Sequence, residues 1–480
     1  RGLSVGIVHV GVGAFHRAHQ AQFTEDAMAA TGGDWGISGV TPRSRRVVDQ
    51  LAPQDGLYTV LTRGSDETAA RVSGALREVR FAGAQSEQVT ARIADPAVRV
   101  LTLTVTEKGY RYDPASGRLL RGDPGIRADL TGEPPRTVVG LLVRGLQARM
   151  TADAGPITTL CCDNLTSNGR TVHGLVSEFV DLLPPAEAGP LRTWLAEQVS
   201  FPSSMVDRIV PATSPADRAQ VERLIGLADE GTVVTEPFRQ WVIEDNFPGG
   251  RPAWERAGAL LTDDVGPYEV MKLRMLNGAH STLAYLGALA GCETISDAMG
   301  VPAFAAVAQR LMREDAEPTL DIPDGFDLDG YESELLERFT NSALRHRTVQ
   351  VAMDGSHKLP PRLLSTLRAG RTAGAEPRWV ALAVAAWMRW VWCDHADDGS
   401  PRVLDDPLAP ALRRAVGHSD SPAGVVTALL GVPDVFSEDL TEDPVVRELL
   451  VDALDMLCTD GALDAARRLT GERAASKEHT

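Results

Sequence analysis

The run VGIVHV, Val5 to Val10, is rich in β-branched residues and passes directly into Gly11-Val12-Gly13, after which a helical pattern continues to about Ala30. A strand that turns on glycines into a helix restricts the chain to the α/β classes. It has the geometry of a dinucleotide fold: glycines let the backbone approach a pyrophosphate, and the helix N-terminus offers free N–H groups and a positive dipole end. The third glycine of the usual fingerprint is absent, and His16 stands in its place. A tight turn in another α/β protein gives the same pattern. His16, Arg17 and His19 equally suit an exposed first helical turn, and the two histidines find no recognisable third metal ligand nearby.

The strand theme recurs. Asp34 to Val40, Val98 to Tyr110 and the apolar start of Pro156 to Gly169 are strand-like, and segments between them, such as TVVGLLVRGLQARM, have helical periodicity. Strands alternating with helices predict a parallel sheet, whose ligands bind beyond the carboxyl ends of the strands. The Gly11 turn, TEKGY and CDN all fall there. The expected cofactor contacts are therefore Gly11, Gly13, Ala14, Phe15, Thr106, Glu107, Asp163 and Asn164. An acid after the second strand suits the ribose of NAD. The segment Gly39 to Arg46 has no acid and three arginines; of these Arg43 suits a 2′-phosphate, which leaves NAD and NADP open.

After about Asp264 alternating runs give way to helical patterns. The expected division is a dinucleotide-binding domain over 1–264 and a mainly helical substrate and catalytic domain over 265–480, with FPGGRP and DIPDGFDLDG as loops. The apolar stretch Trp379 to Cys393 carries Arg389 and is too short to span a bilayer, so it reads as a buried helix. A net charge of −17 argues against nucleic acid and anionic membranes as partners, but not against an anionic small molecule. Five scattered cysteines suggest neither a disulfide framework nor a zinc site. With no signal-peptide pattern at the start, a cytoplasmic location is expected; the terminal GERAASKEHT is expected to fray.

The stretch YEVMKLRMLNGAHSTLAYLG, Tyr268 to Gly287, is the most informative. On an α-helix Lys272, His280 and Asn277 fall at about 0°, 80° and 140°, one sector of the surface. Lysine can take a proton if burial lowers its pKa, asparagine can donate to a developing alkoxide, and histidine can orient a hydroxyl. An ordinary amphipathic helix with a solvated lysine and a core histidine has the same spacing.

GVGAFHRAHQ, TLTVTEKGY, CDNLTSNG, FPSSMVDRIVP and KLRMLNGAHSTLAYLG, in this order, resemble the mannitol dehydrogenase family of long-chain polyol dehydrogenases from about Val5 to at least Arg389. The resemblance implies a Rossmann-type N-terminal domain, a helical C-terminal domain, and metal-independent hydride transfer between NAD(P) and C2 of a linear substrate. It implies Lys272 as acid/base, Asn277 and Asn168 as oxyanion donors, Asp207 as a polar active-site contact, and Lys358 as a substrate-side lysine. Eight residues before that lysine the mannitol enzymes carry arginine; here Gln350 stands. LRHRTVQVAMDGSHKLPPR and LAPQDGLYTV resemble the fructuronate reductase (D-mannonate oxidoreductase) branch more closely. A hexonate has a carboxylate where mannitol has a neutral hydroxymethyl, and Arg345 and Arg347 are candidate partners for it, or else surface ion-pair residues. Mannitol or arabinitol is the second substrate reading, and a dinucleotide-binding sensor the non-enzymatic one. The oligomeric state stays open.

Overall fold

In the computed structural model residues 3–472 are described, apart from 66, 114 and 115; the end of the GERAASKEHT segment lies outside them. The chain divides into two compact units, Arg1–Gly266 and Pro267–Thr480.

The first unit is built on six parallel strands: β1 (Val5–Val10), β2 (Gly36–Thr41), β3 (Leu76–Phe81), β4 (Val100–Leu103), β5 (Ile157–Cys161) and β6 (Val199–Ser200). Their order is β6-β5-β4-β1-β2-β3, the doubly wound arrangement of dinucleotide-binding sheets. The order reverses at β1, between β2 and β4, so the crevice beyond their carboxyl ends is the topological switch point. β2 and β5 are buried at every position, as strands covered by helices on both faces must be. Two cores lie on the faces: one gathers Val8, Leu101, Leu142 and Phe179, the other Ile7, Ile37, Trp241 and Trp254.

Four elements matter for the site. Helix α1 (Ala14–Ala18) follows β1 and breaks at His19 (φ −122°, ψ −88°) before α2 (Gln20–Thr31). Helix α3 (Val138–Thr151) is capped by the Thr137 side chain, and α4 (Asn168–Asp181) follows β5. The sequence pattern did not anticipate two small three-stranded sheets. One joins Ser204–Asp207, Gln240–Glu244 and Leu260–Thr262; the other joins Val233–Thr235, Tyr58–Arg63 and Thr68–Ser73.

The second unit is helical. Helix α5 (Gly278–Leu289) lies at its centre and packs against α6 (Arg378–Trp392), which in turn packs against α7 (Pro444–Thr470). Helix α6 is the expected buried apolar helix; its Arg389 ion-pairs with Asp397 at 2.5 Å. Among the described residues no helix is long and apolar enough to cross a membrane. Among the described residues of this unit three stretches are π-helical: Lys272–Asn277, Leu311–Ala316 and Pro360–Leu364. The first packs against the other two. In the third, Pro360 and Pro361 lie within a continuous helical stretch, where a proline ring collides with the carbonyl one turn back; widening the turn relieves the collision.

Candidate active site

The glycine turn is tied to β2, with the N–H groups of Gly11 and Val12 donating to the Val40 carbonyl at 2.7 and 3.3 Å. Gly11 has φ +106°, and a Cβ there would stand 2.0 Å from the Thr104 carbonyl oxygen, so only glycine fits. A Cβ on Gly13 would meet nothing nearer than the Gly11 oxygen at 3.7 Å, which means this backbone faces open space. The first turn of α1 follows, where the N–H groups of Ala14, Phe15 and His16 have no intrahelical acceptor. A closely approachable backbone ahead of unspent N–H donors fits a dinucleotide pyrophosphate.

The polar residues of that turn face inward, not to solvent. His16, Arg17 and His19 are buried. Arg17 donates to the Gly13 carbonyl at 3.2 Å and to the Gly231 carbonyl, pinning the turn from below. The His16 ring stacks on His9 with centroids 3.4 Å apart. His9 in turn contacts the Thr102 and Thr104 hydroxyl oxygens at 2.7 and 2.8 Å. Burial pushes His9 down to about 3 and His16 well below the usual imidazole range, so both rings are neutral.

Beyond β4 and β5 the centre is Asp163. Its carboxylate accepts from the N–H groups of Val105 and Thr106 at 3.0 and 2.8 Å and from the Tyr110 hydroxyl at 2.6 Å. Burial still pushes this carboxyl up. Asp163 is thus engaged in holding the loop after β4. The need for a clamp is local: Thr106 has φ +68° and ψ 159°, a conformation that costs a β-branched residue about 1–3 kcal/mol. Glu107 and Asn164 are exposed beside it. Asn168 is buried, and both hydrogens of its amide are committed, to the Asp163 carbonyl at 3.0 Å and the Ser204 carbonyl at 2.7 Å. Its oxygen accepts from the Ser204 N–H at 3.0 Å. An oxyanion donor at Asn168 therefore has to exchange one of these bonds for the substrate. Gly169 is required by the same junction, since a Cβ there would lie 2.4 Å from the Phe201 carbonyl oxygen. Asp207 is buried at the end of Ser204–Asp207. Arg43 is exposed just past β2, the position facing a ribose 2′-group in this fold, whereas Arg45 is paired with Asp49 at 2.9 Å.

In the second unit the segment before α5 departs from the expected α-helix. Lys272 and Asn277 are the first and last residues of a π segment. A π turn closes on i→i+5 hydrogen bonds, so residues five apart come toward one face instead of lying about 140° apart. Lys272 is buried and Asn277 half-buried. His280 is the one residue of α5 that is not fully buried. It stacks on Phe339 with centroids 5.4 Å apart and meets the His346 ring edge-on at 4.9 Å. Burial, and then His346 and the cations Arg362, Arg338 and Lys358, hold its pKa well below the usual range. His280 is a neutral imidazole in basic surroundings.

Lys358 belongs to that cluster. Its ammonium donates to the Val351 carbonyl at 3.3 Å, and Asp354 lies 3.9 Å away. Burial, followed by the Arg362 charge, lowers its pKa. The two arginines proposed for a carboxylate are placed otherwise. Arg345 has a side chain 74% exposed, paired with Glu293 at 3.4 Å, and Arg347 is exposed. They are surface residues, where ion pairs are screened. The sequence reading passed over Arg362, which is half-buried beside His280 and donates to the Ser281 hydroxyl at 3.2 Å. The LPPR segment contained it, but nothing in a single sequence ranks one arginine over another. A surface groove of about 540 Å³ in this unit is lined by Arg274, Thr319, Asp321, Ser365 and Arg368, and none of the proposed catalytic residues lines it. Among the described residues no group of three or more His, Cys, Asp or Glu is arranged to hold a metal ion.

Comparison with known proteins agrees with this layout. Residues 5–256 match the mannitol dehydrogenase Rossmann domain, and residues 264–458 the mannitol dehydrogenase C-terminal domain. The D-mannonate oxidoreductase of Escherichia coli is 41% identical, over 96% of this chain and 95% of that protein. The mannitol 2-dehydrogenase of Pyrenophora tritici-repentis is 36% identical, over 96% of this chain and 81% of that protein. Among solved structures, the ternary complex of Pseudomonas fluorescens mannitol 2-dehydrogenase with NAD and D-mannitol superposes with a TM-score of 0.84 at 36% identity, covering 98% of this chain and 95% of that one.

Proposed function

This chain belongs to the mannitol dehydrogenase family, and on that premise we propose that it interconverts D-mannonate and D-fructuronate by hydride transfer at C2. It is an NAD-dependent oxidoreductase acting on a CH–OH group of a polyol or sugar acid. The observation that carries the reaction is the joint placement of Lys272 and Asn277 on one π turn, immediately before the single incompletely buried position of α5, His280.

When bound at the Gly11 turn, the nicotinamide supplies the hydride acceptor. In oxidation, Lys272 in its neutral form takes the proton of the C2 hydroxyl while hydride leaves C2. The Asn277 amide donates to the oxygen on which negative charge develops, and needs no change of protonation to do so. His280, whose pKa burial and the neighbouring cations hold well below the usual range, serves to fix a hydroxyl by one hydrogen bond. Asn168 is proposed as the second donor, by giving up one of its carbonyl partners, and Asp207 as a polar contact. The substrate assignment is supported by Gln350, which departs from the mannitol pattern, by the 41% identical D-mannonate oxidoreductase, and by the cations around His280. Mannitol 2-dehydrogenation is the alternative, which the 36% identical mannitol enzymes favour.

The test is a panel of D-mannonate, D-mannitol and D-arabinitol, each run with NAD and with NADP. A higher kcat/KM for D-mannonate is expected. Equal or better turnover of D-mannitol overturns the sugar-acid reading, and absence of turnover with every substrate overturns the assignment as an enzyme.

A further inference from the structure

The cations around His280 differ in what answers their charge. Lys358 has Asp354, with Asp406 and Asp405 also close enough to act on it. Asp406 is in turn engaged by Ser356, whose hydroxyl and N–H donate to it at 2.6 and 2.8 Å. Arg362 forms no ion pair within the described residues. Its one hydrogen bond is to the Ser281 hydroxyl, a buried neutral group adjacent in sequence to His280. That bond occupies one N–H and leaves the rest of the planar fork unspent. Its position is fixed from both sides: Ser281 belongs to the fully buried face of α5, and Arg362 to the π segment Pro360–Leu364. A half-buried guanidinium without a counter-charge is partly desolvated, and its fork of parallel N–H donors matches a carboxylate.

We propose that Arg362 is the residue that binds the carboxylate of an anionic substrate, held in place by its hydrogen bond to Ser281. The proposal rests on the sugar-acid reading above. It moves the carboxylate contact from the exposed Arg345 and Arg347 to a half-buried cation at the edge of the His280 cluster, and it makes Arg362 a specificity-determining residue. A hexonate supplies the missing counter-charge; a hexitol of the same length leaves the guanidinium unanswered.

The experiment compares wild type, Arg362→Gln and Arg362→Lys with D-mannonate and D-mannitol, with NADH binding and the melting temperature as checks on folding. Loss of a desolvated charge partner is expected to lower kcat/KM for D-mannonate roughly 30- to 1,000-fold in Arg362→Gln. The loss should fall mainly in KM, with D-mannitol changed less than about threefold and Arg362→Lys retaining part of the preference. A wild type that prefers D-mannonate, together with an Arg362→Gln variant that keeps the same ratio, overturns the anchor and leaves the sugar-acid reading standing. Equal losses for both substrates assign Arg362 a structural role and also overturn it. If Arg362→Gln does not fold, the ratio in Arg362→Lys decides. If the wild type shows no preference for the acid, the reading falls first and the anchor with it.

Discussion

The Tyr110 hydroxyl donates to Asp163 Oδ2 at 2.6 Å, with the Cys161 sulfur 3.2 Å from the same hydroxyl. Both residues are buried, and the bond spans the loops that leave two adjacent strands of the sheet. Tyr110→Phe is expected to cost about 1.5–3 kcal/mol, as loss of a hydrogen bond to a carboxylate does, and to lower the melting temperature. Asp163→Ala removes every acceptor of the Val105 and Thr106 N–H groups and lets Thr106 relax to negative φ. Its expected signature is a raised KM for NAD with a smaller change in kcat; an unchanged KM would mean that the Thr106 conformation is irrelevant to the cofactor.

Lys272→Ala should lose roughly two to four orders of magnitude in kcat, as removal of a general acid/base does. In wild type, oxidation should rise with pH through one ionisation and reduction should fall through it, because the two directions need opposite protonation states. NADH affinity, read by fluorescence titration, should stay close to wild type, since the pyrophosphate cradle is at Gly11 to Phe15. A near-normal kcat with an unaltered pH profile would refute the assignment.

Asn277→Ala and Asn168→Ala should separate. The first is expected to lower kcat by roughly two orders of magnitude or more, the usual loss for one oxyanion donor, with little effect on stability. The second strips three hydrogen bonds from the Asp163–Ser204 junction and should reduce the melting temperature as well. If Asn168→Ala melts normally yet loses kcat as strongly as Asn277→Ala, its amide is free to serve the substrate and the junction is secondary.

Arg43 bears on the choice of cofactor. NAD is expected to be the better substrate. If NADP competes, Arg43→Glu should shift the kcat/KM ratio further toward NAD by repelling the 2′-phosphate, while Arg45→Glu, at a residue paired with Asp49, should shift it less. A larger effect at Arg45 would identify the wrong arginine.

Acid should destabilise the N-terminal unit early. Burial lowers His9 and His19 to about 3, whereas in the unfolded chain both titrate near 6.5. Between those values the unfolded state binds more protons, so stability is lost as pH falls below about 6.5. Asp315 in the C-terminal unit, raised to about 7, has the opposite sign: it contributes stability that is lost as pH rises toward about 7. Melting followed from pH 7.5 to 5 should show the N-terminal unit weakening, with a shallower dependence in His9→Gln. A slope unaltered in that variant would show that His9 is not protonated on unfolding.

The doubly wound half was legible because its signals are local and periodic: β-branched runs, the Gly11 turn, and polar residues where strands end. The small sheets escaped because their strands are short and Thr68–Ser73 is largely exposed, so no apolar alternation marks it. Polarity misled at His16, Arg17 and His19, whose burial depends on partners distant in sequence, such as Gly231 and Gln240. Arg345 and Arg362 are indistinguishable by residue type; only the fold sets one at the surface beside Glu293 and the other against Ser281. The angle between Lys272 and Asn277 was misjudged because a π turn leaves no mark in composition.

A π turn is an α-helix that has taken in one surplus residue, and at Lys272–Asn277 this separates two registers along one rod. The buried face of α5 is keyed to the core of its unit, while Lys272 is keyed to the chemistry. Closing this turn to a regular α-helix without changing its length would turn everything before it by about 100° relative to α5. The contacts of α5 itself would be kept, and the lysine would point elsewhere. Relatives one residue shorter in this interval would keep lysine and asparagine on one face of a regular helix, four apart, so the surplus residue and the wide turn come or go together.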